Sequence, residues 1–195
     1  MTSENSYLLV GLGNPGREYR DSRHNAGFML IDMVAIRLNA RGMKMQSKAL
    51  VMTVAYEDRK LILAKPQTYM NLSGQSLQGL IHFYKLPLTN VLIAHDDLDL
   101  PFGTIRLRPG GGPGGQRGMA SAIEQLGAKE FSRLRIGIGR PPGRMDPSAY
   151  VLQDFTREEM KSLPGIIERA ADAALEFVLN GLDKAMNKYN GSVDM

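Results

Sequence analysis

The chain has 195 residues, of which 43% are hydrophobic and 23% charged, and it contains no Cys. This composition is that of an ordinary globular protein; it excludes thiol chemistry and a disulfide framework, and no apolar run approaches the roughly 20 residues of a membrane span. We expect one domain over residues 1–195 and, because the N-terminus shows neither a basic nor an apolar leader segment, a cytoplasmic location. The net charge of +4 permits an anionic partner without requiring one.

Apolar patterning in the first half of the chain predicts alternating strands and helices. A buried strand at residues 7–10 is followed by a helix at 26–38, and two β-rich runs at 49–56 and 60–64 indicate a hairpin. A polar loop at 65–74 precedes a helix at 76–84. The next buried strand, at 90–94, ends in the acidic run 95–99.

The second half continues with a basic strand at 104–108, a glycine-rich loop at 110–118, a helix at 119–126 and a strand at 133–139. Thr156 and Glu159 form a capping-box signature ahead of an apolar-periodic helix that ends near Gly181, and a short helix covers 182–189. We expect the loop at 139–148 to be mobile. The alternation predicts an α/β fold with a mixed, largely parallel sheet covered by helices on both faces.

Two glycine-rich stretches are similar to nucleotide-binding loops, but neither satisfies the full pattern. Gly11, Gly13 and Gly16 form a literal GxGxxG, yet the predicted helix begins several residues later, whereas a dinucleotide site needs it immediately after the glycines. In the second stretch, Gln116 and Arg117 stand where a P-loop requires Lys and a hydroxyl. We interpret the first as a strand-exit turn; the second is either a flexible surface loop or a source of backbone N–H groups for an anion.

Polar residues follow two of the predicted strands. Asn14 follows the first strand and Asp96 the strand at 90–94; if these strands are parallel neighbours, both side chains reach one crevice at the carboxyl edge of the sheet. His24 can join them, and a His oriented by a carboxylate is a general base near neutral pH. Each residue alone also has an ordinary reading, as a turn former, a loop acid or a helix N-terminal residue. The combination indicates a hydrolytic cleft, and neither a patterned metal site nor a GxSxG elbow is present.

Four blocks resemble, in order and spacing, the signature blocks of bacterial-type peptidyl-tRNA hydrolases: VGLGNPGREYRDSRHNAGF, KPQTYMNLSGQS, HDDLDLPFGTIRLRPGGGPGG and RLRIGIGRP. The resemblance implies a monomeric, single-domain α/β hydrolase with a twisted mixed sheet. It also implies cleavage of the ester between a peptide and tRNA, with no metal or cofactor. A catalytically silent RNA-binding relative, as in organellar splicing factors, is the alternative from another class, and a nucleotide-binding Rossmann protein is a third.

Position by position, the resemblance implies that His24 is the catalytic base, Asp96 its orienting partner and Asn14 a further member of the catalytic centre. It places basic contacts to the tRNA 5′-phosphate at Arg108 and Arg133. The positions expected to contact substrate are Tyr19, Met70, Asn71, Gln116 and Arg117. At the last two this chain departs from the family's usual His-Asn, and we expect Arg117 to meet phosphates at the 3′ end of tRNA.

Overall fold

The computed structural model describes residues 5–192. Residues 1–4 and 193–195, which include most of the N-terminal segment considered above, lie outside the described residues. The strands are β1 (Ser6–Gly11), β2 (Lys44–Gln46), β3 (Ala49–Tyr56), β4 (Arg59–Pro66), β5 (Val91–Asp97), β6 (Thr104–Arg108), β7 (Ser132–Gly137) and β8 (Gly191–Ser192). The helices are α1 (Ala26–Arg37), α2 (Ser73–Tyr84), α3 (Arg117–Leu126), α4 (Pro147–Val151), α5 (Glu159–Asn180) and α6 (Leu182–Tyr189).

All eight strands belong to one sheet, in the order β2-β3-β4-β1-β5-β7-β6-β8. The four central strands, β4, β1, β5 and β7, pair in parallel. The outer strands pair antiparallel, including the predicted β3–β4 hairpin and the β6–β7 pair. The predicted mixed sheet is therefore confirmed, but the prediction that it is largely parallel is wrong: the three parallel pairings lie in the centre, and the other four pairings are antiparallel.

Helices cover both faces of the sheet, because successive side chains of each central strand point to opposite sides. Leu9 of β1 packs in the apolar layer that contains α1 and α5. Leu8 and Val10 pack in the layer that contains α2 and α3. Strands buried on both faces explain the continuous apolar runs in the sequence. No helix in residues 5–192 is long and apolar enough to cross a membrane.

Helix α1 crosses β1 at a very short distance, and two glycines make this possible. A Cβ on Gly11 would lie 2.0 Å from the carbonyl oxygen of Gly27, and a Cβ on Gly27 would lie 2.5 Å from the carbonyl oxygen of Ala94. The first glycine of the GxGxxG therefore serves helix packing. It brings the start of α1 against the ends of β1 and β5.

Several element boundaries differ from the predictions. β5 continues through Asp97, so Asp96 lies within the strand and not after it. Helix α2 begins at Ser73, earlier than predicted. The short elements β2, α4 and β8 were not predicted; α4 starts inside the loop we expected to be mobile, where Asp146 accepts a hydrogen bond from the N–H of Ala149 as its N-cap.

Candidate active site

His24 and Asp96 form a buried pair at the carboxyl edge of the sheet. His24 lies in a short 3₁₀ turn, Arg23–Asn25, directly before α1, and Asp96 lies in β5. The His24 Nδ1 is 2.8 Å from Asp96 Oδ2, and the two side chains are 10% and 2% exposed. Because a carboxylate can only accept, the proton of the neutral ring lies on Nδ1, and Nε2 is left as the acceptor.

Asn14 is held at this edge by a second asparagine. The Asn14 N–H donates to Asn25 Oδ1 at 2.8 Å, and Asn25 Nδ2 donates to the Asn14 carbonyl at 3.0 Å. The Asn14 side chain accepts from the N–H of Met70 at 2.8 Å through Oδ1. Its Nδ2 group is thereby left as a donor. Asn25 was not identified from the sequence, although it directly follows His24.

Asn14, His24 and Asp96 line a cavity of about 270 Å³. Val151 of helix α4 and Leu152, which directly follows that helix, also line the cavity; neither was predicted from the sequence. An Asp-Pro at a helix start is a recognisable signal, and Asp146-Pro147 could have revealed α4. The predicted site residues that reach the cavity are Asn14, His24, Met70, Asn71, Asp96, Gln116 and Arg117. Tyr19 does not line it, whereas the 63% exposed Tyr69 does.

Gln116 and Arg117 lie at the start of α3 but differ in exposure. Arg117 is exposed on the cavity rim. Gln116 is buried, and its amide contacts Asp96, Met70 and the N–H of Met119. Its polar atoms are thus occupied by protein groups, in contrast to the predicted substrate contact.

A second cavity of about 360 Å³ adjoins the first, because Asp97 and Gly114 line both. Burial opposes ionisation of Asp97, but hydrogen bonds from Arg135 at 2.6 Å and from the Asp99 N–H at 2.8 Å outweigh it and lower the pKa of the carboxyl group. His95 also lines this cavity, and burial lowers the pKa of its imidazole. Its Nδ1–H donates to the Asp96 carbonyl at 2.7 Å.

The two predicted phosphate-binding arginines both line the second cavity, but only one is exposed. Arg108 and Arg133 are directly paired across β6 and β7, as the predicted neighbouring basic strands require. Arg108 is exposed. Arg133 is 3% exposed, and its guanidinium donates to the carbonyls of Gly112 at 2.8 Å and Lys129 at 3.0 Å. Its side chain is therefore buried beneath the glycine loop and holds that loop through the hydrogen bond to Gly112.

Arg23 connects the His24 turn to the α4–α5 segment. Its guanidinium donates to Glu159 Oε2 and to the Asp154 carbonyl, both at 2.7 Å. It also stacks on Tyr150, 4.3 Å from the ring centroid. The predicted capping box is present, because the Thr156 N–H donates to Glu159 Oε2 and the Glu159 N–H to Thr156 Oγ1. The same carboxylate thus caps α5 and pairs with Arg23.

The arrangement can carry out general-base chemistry. An imidazole fixed through Nδ1 by a carboxylate presents Nε2 to a cavity that also offers amide donors. Within residues 5–192, no group of three or more His, Asp or Glu side chains is placed to hold a metal ion. The fold and the site define an α/β hydrolase of the water-activating kind.

Comparison with known proteins agrees with this class. A model of the family described as peptidyl-tRNA hydrolase matches residues 8–195. The chain is 49% identical to the peptidyl-tRNA hydrolase of Mycobacterium tuberculosis over 184 residues, which is 94% of this chain and 96% of that protein. It is 44% identical to that of Frankia alni over 189 residues, 97% and 96% of the two chains.

Solved structures agree as well. The crystal structure of peptidyl-tRNA hydrolase from Acinetobacter baumannii superposes with a TM-score of 0.90 at 36% identity and covers 98% of each chain. A further crystal structure, of a peptidyl-tRNA hydrolase with N-propanol, gives a TM-score of 0.91 and covers 100% of this chain and 99% of that one. This chain belongs to the peptidyl-tRNA hydrolase family.

Proposed function

We propose that this protein hydrolyses the ester that joins a peptide to the 3′ ribose of tRNA, and so returns free tRNA. The single observation that carries the proposal is the His24–Asp96 pair, 2.8 Å apart, on a cavity that also holds Asn14. Family membership supports the same substrate. The presence of His24, Asp96 and Asn14 together argues against the catalytically silent RNA-binding alternative, because a protein that only binds RNA does not need these residues. The relatives named above do not support that alternative either.

His24 acts as the general base in this scheme. Nε2 takes a proton from water, and the resulting hydroxide attacks the ester carbonyl carbon while Asp96 stabilises the imidazolium. The Asn14 Nδ2 group, with Asn71 on the same cavity, supplies amide donors to the tetrahedral oxyanion or to the peptide backbone. When the intermediate collapses, the C–O bond to the ribose breaks and the imidazolium returns its proton to the ribose oxygen.

The second cavity supports a phosphate contact. The 5′-phosphate and the 3′ ester lie at the same end of a tRNA acceptor stem, and the two cavities share Asp97 and Gly114. Arg108, the position expected to contact the 5′-phosphate, is exposed on this cavity. Arg133 serves indirectly, since its donors hold the glycine loop, and Arg135 is the other cation on this cavity. Contacts to phosphate confer affinity without sequence specificity, which suits an enzyme acting on many tRNAs.

The proposal also covers the oligomeric state of the protein and its location in the cell. The resemblance to bacterial-type peptidyl-tRNA hydrolases implies that the protein acts as a monomer. Family membership supports a cytoplasmic location, where translation releases peptidyl-tRNA.

The test is release of peptide from N-acyl-aminoacyl-tRNA by the wild-type protein and by His24→Ala, with tRNA binding measured in parallel. We expect hydrolysis by the wild type and a loss of about 10²–10⁴-fold in the variant, with tRNA binding retained. Equal rates would overturn the assignment of the base. Binding of tRNA without hydrolysis by the wild type would support the silent relative.

A further inference from the structure

Gln116 makes a set of contacts that the mechanism above does not use. It follows the glycine loop, is the N-cap residue of α3 and is only 8% exposed. Its Oε1 accepts from the Met119 N–H at 2.8 Å, and its Nε2 lies 3.1 Å from Asp96 Oδ1 and 3.3 Å from Met70 Sδ. A backbone N–H can only donate, so Oε1 must face Met119 and Nε2 must face Asp96. The orientation of the amide is thereby defined.

The two oxygens of Asp96 therefore have different partners. Oδ2 accepts from His24 at 2.8 Å and Oδ1 from Gln116 at 3.1 Å. A carboxylate bonded through one oxygen alone can rotate about its χ2 angle, whose torsional profile is broad. A second partner on the other oxygen fixes the carboxylate plane, and the buried charge gains a second hydrogen bond.

Local packing leaves room for this amide. A Cβ on Gly118 would lie 2.5 Å from Met70 Sδ and 3.0 Å from Gln116 Oε1. Any larger residue there would push Met70 and Gln116 apart. The contact with Asp96 thus depends on Gly118, the second residue of the helix, as well as on the cap.

We propose that Gln116 is a positioning residue that holds Asp96 in the plane required to orient His24. The inference rests on the proposed function. It assigns Gln116 no contact with substrate: the side chain acts on catalysis through Asp96. Because an amide does not titrate, the support it gives to Asp96 is independent of pH.

Gln116→Glu separates positioning from capping. Glutamate keeps an oxygen that can accept from the Met119 N–H, and a negative charge at a helix N-terminus is favourable. Its other oxygen replaces the donor 3.1 Å from Asp96 Oδ1, so an attraction becomes a repulsion between two carboxylates. The other charged groups on this cavity, Asp97 and Arg117, are unchanged. Gln125→Glu, the same change on α3 away from Asp96, is the matched control.

We expect Gln116→Glu to lower kcat with N-acyl-aminoacyl-tRNA by tenfold or more, with KM within about twofold. We also expect the acid limb of the pH–rate profile, and the midpoint of the His24 ring titration followed by NMR, to move to higher pH, because added negative charge favours the imidazolium. Gln116→His, which restores an N–H donor, should recover part of kcat. Gln125→Glu should leave all three quantities unchanged.

Unchanged kcat and an unchanged His24 ring titration in Gln116→Glu would overturn the inference. A lower melting temperature would also overturn it if neither the acid limb of the pH–rate profile nor the midpoint of the ring titration moved. The ring titration does not require activity. An inactive wild-type protein whose ring titration still responds to Gln116→Glu would therefore overturn the proposed function and leave the positioning contact standing.

Discussion

Replacing Arg23 by Met removes the cation that ties the His24 turn to the start of α5. The Arg23 side chain is 4% exposed and pairs at 2.7 Å with Glu159, whose side chain is 18% exposed. The substitution leaves the Asp154 carbonyl without this donor and removes the stacking on Tyr150. Methionine retains most of the apolar stem, so the change tests the charge and its hydrogen bonds more than the packing volume.

The expected cost follows from the burial of the pair. Removing one partner of a buried ion pair costs about 3–5 kcal/mol, because the remaining charge is left without compensation. For a chain of this size each kcal/mol corresponds to a fall in Tm of about 2–4 °C. The expected fall is therefore roughly 6–20 °C. Arg37→Met is the matched control: Arg37 pairs with Asp172 at 2.6 Å, but these side chains are 29% and 49% exposed, and such pairs contribute about 0–1 kcal/mol.

The assay is urea denaturation of the wild type and both variants, with thermal melting as a second readout. Arg23→Met should lower the midpoint far more than Arg37→Met. The His24 turn and α4 both border the cavity, so Arg23→Met should also lower kcat/KM at a temperature at which it remains folded. Equal effects of the two substitutions on stability would refute the argument that burial decides the strength of this pair.

Three further changes test other parts of the account. Arg117→Ala should weaken tRNA binding and reduce the slope of log K against log salt by about 0.7–0.9, the contribution of one phosphate contact. Asn25→Ala should lower stability by about 1–3 kcal/mol or more and reduce kcat, because the Asn14 N–H and carbonyl lose their partners. Asp97→Asn should lower Tm at neutral pH and make Tm less dependent on pH in the acid range. The pKa of Asp97 is lowered in the folded protein, so its ionised carboxylate stabilises the fold at pH values above the pKa of about 4 that it has in the unfolded chain. This stability is lost as the pH falls through the pKa of the folded protein.

Arg41→Ala, on an exposed residue beyond α1, should leave the salt slope unchanged, and an unchanged slope in Arg117→Ala would sink the phosphate contact. Full activity in Asn25→Ala would show that Asn14 needs no such support. If Tm falls as steeply between pH 7 and 3 in Asp97→Asn as in the wild type, Asp97 is not the group responsible.

Much of the fold was predictable because its signals are local. Strand β6 and helix α6 have the predicted bounds, and the cap of α5 was readable from Thr156 and Glu159. The adjacency of β1 and β5, which brings Asn14 and Asp96 together at the carboxyl edge of the sheet, was a condition of the sequence interpretation, and the parallel pairing of the two strands meets it. The contact of His24 with Asp96, which the resemblance to peptidyl-tRNA hydrolases implied, is present at 2.8 Å.

The remaining parts of the site depend on contacts that no local pattern encodes. Arg133 and Arg135 lie on the same face of β7, because alternate residues of a strand point to the same side. Their burial differs because the glycine loop covers Arg133. Asn25 holds Asn14 through a turn whose path is set by the packing of α1. The sequence shows that Gln116 departs from the family pattern. Its contact with Asp96 could not be predicted, because it depends on how the start of α3 packs against the end of β5.

We propose that Asp96 orients His24 as the base, and every step of the proposed hydrolysis depends on this role. Its most direct test is kcat/KM for N-acyl-aminoacyl-tRNA in Asp96→Asn, compared with the wild type and His24→Ala. The amide can keep the geometry, but it can donate to Nδ1 and so favour the wrong ring tautomer, which in the Ser-His-Asp triad costs about 10⁴-fold. We predict a loss of about 10²–10⁴-fold, close to that of His24→Ala. Activity of Asp96→Asn near the wild-type level would contradict the account.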